Sequence, residues 1–115
     1  MSLSLKTRKS GDVVVLDLSG RLIAGEAALL LRETVRRFIS DGNRRFVVNL
    51  GAVSFIDSSG LGELVTTYAS VKNKGGAVNL LNATAKAKDL LQMTKLLTVF
   101  NTYDDEAKAV AALQS

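Results

Sequence analysis

Apolar positions along this chain switch repeatedly between a near-continuous or alternating pattern and a helical one. Leu3 to Arg8 alternates at its start, as an edge strand does. Gly11-Asp12 marks a turn, and the β-branched run Val13-Val14-Val15-Leu16-Asp17-Leu18 predicts a second strand paired with the first as a hairpin, ended by Gly20. Ala27 to Ile39 reads as a helix, with Ala27, Leu31, Val35 and Phe38 on one face and Arg32 and Arg36 on another. Glu33 stands four residues before Arg37, a favourable spacing, and Asp41-Gly42-Asn43 stops the helix. Phe46-Val47-Val48-Asn49-Leu50 is apolar almost throughout, which predicts a central strand covered on both faces and parallel to a neighbour.

A second helix carries Leu61, Leu64, Val65 and Tyr68 on one face and ends at Lys74-Gly75-Gly76, where glycine takes the left-handed cap. Ala77 to Leu81 is the next strand. Thr84 is placed to cap a third helix bearing Ala87, Leu90 and Leu91. Leu97-Thr98-Val99-Phe100 reads as a short last strand, and Asp104 as the cap of a final helix with Ala107, Val110 and Ala111 facing inward. The order ββαβαβαβα implies right-handed crossovers and an α/β fold: a mixed, mostly parallel sheet of five strands with four helices.

Composition narrows this to one domain over residues 1–115. With 47% hydrophobic residues the chain can bury a real core, and no repeat, linker or low-complexity tract divides it. Cysteine and histidine are absent, which excludes disulfides and thiolate or imidazole chemistry. No apolar run reaches the ~18 residues of a membrane span, and the opening residues lack the apolar core of a secretory signal, so a cytoplasmic location is expected. The net charge of +4 is spread out, with short clusters at Arg36-Arg37 and Arg44-Arg45. Without a dense basic patch or stacking aromatics, nucleic-acid binding is not expected.

The stretch FIDSSGLGEL, Phe55 to Leu64, concentrates the candidate chemistry. It joins a buried strand to a helix, at the carboxyl end of the strand, where ligands and partners of open α/β sheets meet the fold. Asp57 or Ser58 supplies the helix N-cap, and one cap is sufficient. A hydroxyl at that helix start is also suited to accept a phosphate. The phosphate adds about −1.5 to −2 charges at the favourable end of the helix dipole, so the fold tolerates it. A partner packed over the turn would have to desolvate a dianion, so Ser58 is a candidate binding switch. Gly60 and Gly62 either admit a second backbone or pack helix against strand closely. Catalysis has little support. There is no Gly-x-Ser-x-Gly elbow, no base of the usual kind for a serine nucleophile and no Walker pattern, and Asp57 with Glu63 is too small a set for a metal. Neither a cofactor nor a metal site is expected.

Asp57-Ser58-Ser59-Gly60-Leu61-Gly62, following the strand Phe46 to Leu50, resembles the signature of STAS domains of the bacterial anti-sigma-factor antagonist family. Asp17 to Leu22 resembles the family's second-strand exit, Lys74-Gly75-Gly76 the turn before its fourth strand, and Leu90 to Leu97 its third-helix exit. The resemblance implies that Ser58 is the phosphoacceptor. The unphosphorylated protein would then bind an anti-sigma factor that is also a serine/threonine kinase, and release the sigma factor. Phosphorylation would end the interaction and a serine phosphatase would reset it. In that cycle the antagonist is a substrate in transcription regulation, not an enzyme. The implied docking surface is Asp57, Ser58, Ser59, Gly60, Leu61 and Gly62, joined by Glu26, the one polar residue of Ile23-Ala24-Gly25-Glu26. Two alternatives stand beside it. One is a STAS module in a constitutive assembly, such as a signalling scaffold or a lipid-transporter accessory subunit. The other is a basic protein docking to nucleic acid or anionic membrane.

Overall fold

The computed structural model describes residues 3–96 and 98–114. Nine elements follow in the expected order: β1 (Leu3–Ser10), β2 (Val13–Leu22), α1 (Glu26–Ser40), β3 (Arg45–Ile56), α2 (Ser58–Asn73), β4 (Ala77–Leu81), α3 (Ala85–Met93), β5 (Asn101–Tyr103) and α4 (Glu106–Ala111). The strands form one sheet in the order β1-β2-β3-β4-β5. Only the β1–β2 hairpin is antiparallel. The apolar run from Phe46 to Leu50 therefore does lie in the central strand.

The two sheet faces are covered unequally. Val14, Leu16, Phe46, Val48, Val78 and Leu80 join the inward faces of α1, α2 and α3 in the main core. On the other face, among the described residues, α4 is the one helix that packs, with Ala109 and Val110, and Leu113 just beyond it, against Val13, Val15, Val47 and Leu81. Asn79, buried at 3% exposure on that face, donates from Nδ2 to the Ala109 carbonyl at 3.0 Å, so that N–H is satisfied and α4 is tied to the sheet centre.

Several boundaries differ from the pattern, each for a physical reason. Gly20 does not end β2. The strand continues to Leu22, and Gly20, at φ 97°, sits between two register shifts against β3. Nor does β3 stop at Leu50; it runs on to Ile56. Its helix-facing residues are Phe46, Val48, Leu50, Val53 and Ile56, so the spacing stretches from two to three where the chain bulges. Pairing with β4 stops at Asn49–Leu81, while pairing with β2 reaches Leu22–Ile56.

The last strand is Asn101–Tyr103, not Leu97–Phe100. Leu97 lies outside the described residues, and Thr98 to Phe100 form a turn and bend. Phe100 is buried by packing edge-on against Tyr68, ring centres 5.3 Å apart, so its apolar character reflects core rather than ladder. The α4 cap is Asp105, which accepts from the Lys108 N–H at 3.1 Å, while Asp104 lies 3.7 Å from Lys88. Ala109 and Val110 face inward, whereas Ala107 and Ala111 are exposed. Among the described residues no ion pair joins Glu33 to Arg37.

Arg8 clips the two ends of the chain together. Its guanidinium donates to Asp17 of β2 at 2.7 Å and to Glu106 in the first turn of α4 at 2.7 Å. Hydrogen bonding to Arg8 holds both carboxyls below their ordinary values, and raises that of Arg8. Depressed folded-state values mean that the clip's contribution is fully present above the unfolded carboxylate range and is lost as pH falls through the lower folded values. Acid titration by circular dichroism is therefore expected to show a stability loss below about pH 4 that is shallower in Arg8→Ala and in Glu106→Gln. Identical acid limbs in all three proteins would contradict it.

Candidate functional site

The site is built where β2 and β3 end together. Leu22 pairs with Ile56, and the Asp57 N–H donates to the Leu22 carbonyl at 3.4 Å. Asp57 is extended, at φ −102° and ψ −178°, and α2 starts at the next residue. Its Oδ1 accepts from the Gly60 N–H at 2.7 Å, while its carbonyl accepts from Leu61 at 2.9 Å. Of the two candidate caps the structure therefore uses Asp57. That leaves Ser58 and Ser59 exposed, in the first turn, with hydroxyls that make no hydrogen bond among the described residues. Their backbone N–H groups likewise find no acceptor among those residues, and so give the helix end its unpaired donors.

Gly60 and Gly62 have different roles. A Cβ on Gly60 would fall inside contact distance of the Leu22 carbonyl oxygen and 2.8 Å from its carbon. Gly60 thus packs the helix start on the end of β2. Leu61 is buried at 4%. Of the expected docking residues, Gly60 and Leu61 are buried and seat the turn. Asp57 is half-buried, and Ser58, Ser59, Gly62 and Glu26 are exposed. Gly62 has no atom within 4 Å of the position a Cβ would take. Glu26 begins α1, just beyond the end of β2, behind Gly25 at φ 91°.

Two pairs near the site escaped the pattern. Phe55, 45% exposed, stands two residues before Asp57 and is capped by Arg21, whose guanidinium carbon lies 5.6 Å from the ring centre. The signal for it was the outward phase of β3, invisible once that strand was ended at Leu50. Glu63, 4% exposed in α2, accepts from Arg32 of α1 at 2.7 Å and 3.2 Å. The same bonds raise the Arg32 value. This pair fixes α1 against α2 and explains a buried carboxylate that no metal or catalytic set accounts for. Among the described residues no cluster of three potential metal ligands occurs, and no helix is long and apolar enough to cross a membrane.

The geometry is that of a small α/β module with an exposed hydroxyl turn at the end of its central strand. The family model described as "STAS domain" matches residues 4–109. The chain belongs to the STAS domain family. It is 26% identical over 117 residues to an anti-sigma F factor antagonist of Paenibacillus polymyxa, covering 99% of this chain and 97% of that one. Its fold matches an anti-sigma factor antagonist from Mycobacterium paratuberculosis with a TM-score of 0.84 at 23% identity, covering 99% and 96% of the two chains. It also matches the Bacillus protein SpoIIAA. The TM-score is 0.75 at 22% identity for both the unphosphorylated form (97% and 99% covered) and the phosphorylated form (95% and 99%).

The two glycines separate by substitution. Gly60→Ala is expected to destabilise by about 2 kcal/mol, since backbone must shift. Gly62→Ala should stabilise by roughly 0.5–1 kcal/mol, the helix-interior gain. Thermal unfolding would show opposite signs, and two shifts in one direction would refute the packing account of Gly60.

Proposed function

We propose that this chain, as a single STAS domain over residues 1–115, is a cytoplasmic anti-sigma-factor antagonist switched by phosphorylation of Ser58. The carrying observation is the division of labour in the first turn of α2: Asp57 is spent inward as cap, and Ser58 is exposed with an unengaged hydroxyl. A kinase can reach that hydroxyl. A phosphate there meets free N–H donors and the positive helix end, so the scaffold has no reason to rearrange. The SpoIIAA comparison supports this, since both of its forms fit the same fold equally well.

Unphosphorylated, the turn presents Ser58, Ser59 and Gly62, flanked by Phe55 and by Glu26 at the start of α1. Its partner is an anti-sigma factor with serine/threonine kinase activity, whose occupation frees the sigma factor. A dianion on Ser58 imposes a desolvation cost on that interface, and the complex dissociates. A serine phosphatase restores the binding form. The chain is the substrate of both enzymes and carries out no catalysis itself.

Phosphate localised to Ser58 by mass spectrometry of the protein from its native cell is the direct test. In pull-downs, Ser58→Ala should retain the co-purifying kinase and Ser58→Asp should lose it by at least about tenfold, the equivalent of ~1.4 kcal/mol. Equal retention by both variants would instead support a constitutive scaffold or transporter assembly. Capture that ignores residue 58 and weakens steeply with salt would point to nucleic acid or membrane.

A further inference from the structure

Beside the second half of α2, away from Ser58 at its start, the edge of the sheet holds an unassigned hollow of about 180 Å³. It opens where β5 is too short. That strand first pairs at Asn101, opposite Asn79, so Ala77 and Val78 of β4 have no strand on that side. The lining includes Tyr68 of α2, Val78 and Asn79 of β4, Asn101 and Tyr103 of β5, and Ala112 after α4. No carboxylate lines it.

Two polar groups of buried residues are left over here. Asn79 is 3% exposed. Its Nδ2 donates to the Ala109 carbonyl, and because a carbonyl only accepts, this bond fixes which end of the amide points where. Oδ1 accepts no hydrogen bond among the described residues. Nor is it sealed in protein: Thr67 Oγ1 is the one enclosed side-chain polar atom without a partner among those residues. Oδ1 therefore opens into the hollow that Asn79 lines. The second group is the Val78 N–H. Ala77 donates its N–H to the Arg44 carbonyl on the β3 side, and successive N–H groups of a strand point to opposite edges. Val78, 4% exposed, thus points its own toward the missing length of β5, where it finds no acceptor among the described residues. Buried donors and acceptors left unmet are rare and costly.

We propose that the hollow binds a neutral, single-ring molecule carrying both an N–H donor and a carbonyl acceptor, a lactam or cyclic urea. Asn79 Oδ1 takes the donor, and the Val78 N–H takes the acceptor. Tyr68 and Tyr103 supply aromatic surface for a flat ring, and neither hydroxyl makes a hydrogen bond among the described residues. The volume suits one ring, since a cavity of roughly 150 Å³ takes benzene. Lys72, exposed, is the one charged lining residue. The carbonyl end of α4, at Ala112 and Leu113, opposes the anion that lysine would otherwise select, so the ligand is uncharged. The site is independent of the Ser58 switch.

Uracil is the probe, titrated into the ¹⁵N-labelled protein. Saturable amide shifts are expected at Val78, Asn79, Asn101 and Tyr103, with a Kd of about 1 mM or tighter. N,N′-dimethyluracil, the same ring without an N–H, should bind at least about tenfold more weakly. Asn79→Leu should cost at least as much, although it also frees α4 from the sheet. Ala112→Leu, an exposed change that narrows the hollow and leaves Asn79 and Val78 in place, should abolish the shifts while circular dichroism stays unchanged. Ser58→Ala should bind uracil as the parent protein does, which keeps this result separate from the fate of the switch. The proposal is overturned by the absence of a saturable response to uracil, by equal binding of the dimethyl compound, by shifts scattered over the surface, or by binding that persists in Ala112→Leu. A crystal soaked in uracil that shows only an ordered water at Asn79 Oδ1 would do the same.

Discussion

The contact on which the site depends is the approach of Gly60 to the carbonyl of Leu22. Only a residue without a side chain lets the first turn of α2 settle directly onto the end of β2. Once it does, the helix start is fixed in position and direction relative to the sheet. Asp57 then lies where its carboxylate reaches the Gly60 N–H, and Leu61 and Leu64 drop into the core below. The hydroxyls of Ser58 and Ser59 are outside because the cap and the glycine have taken the inside. The backbone contact seats the turn without using either serine hydroxyl.

Two polar devices hold the layers around that seat. The Arg32–Glu63 pair ties α1 to α2 across the helical layer, with the carboxylate buried and the guanidinium reaching solvent. Removing the arginine alone would strand a charge in the core, so the pair acts as a registration device between helices more than as net stabilisation. On the opposite face, Arg8 grips β2 and α4 at once. Because α4 is the only helix there among the described residues, much of its hold on the sheet comes from this clip, from Asn79, and from the small apolar cluster around Val47 and Leu81.

Most of the architecture was legible because hydrophobic period and burial agree. The runs at Val13, Phe46 and Ala77 and the stripes of α1, α2 and α3 appear where the pattern puts them. Failures cluster where packing replaces pattern. Alternation ceases after Leu50 because a bulged strand spaces its inward residues by three, which no period-two reading follows. Phe100 looked like strand because it is buried, but its burial comes from Tyr68 and not from a neighbouring strand. The pattern put the last cap at Asp104, one residue early, because only the turn geometry distinguishes it from its neighbour Asp105. At the site, the aspartate, the serines and the glycines were readable as types. Which glycine faces the core depends on where Leu22 ends, a long-range fact.

The extension of β3 past Asn49 has one more consequence. From Leu50 to Ile56 the strand has β2 on one side and no β4 partner on the other, and β1 flanks β2 only as far as Gly20, opposite Val53, so among the described residues Arg21–Leu22 and Phe55–Ile56 form a short two-stranded end beneath the turn bearing Ser58. Such an end is marginal on its own and shares little of the cooperativity of the central strands. In amide exchange this would register as faster labelling of residues 55–56 than of 46–48. The chain that carries Asp57 into α2 thus leaves the sheet where the ladder has the fewest partners.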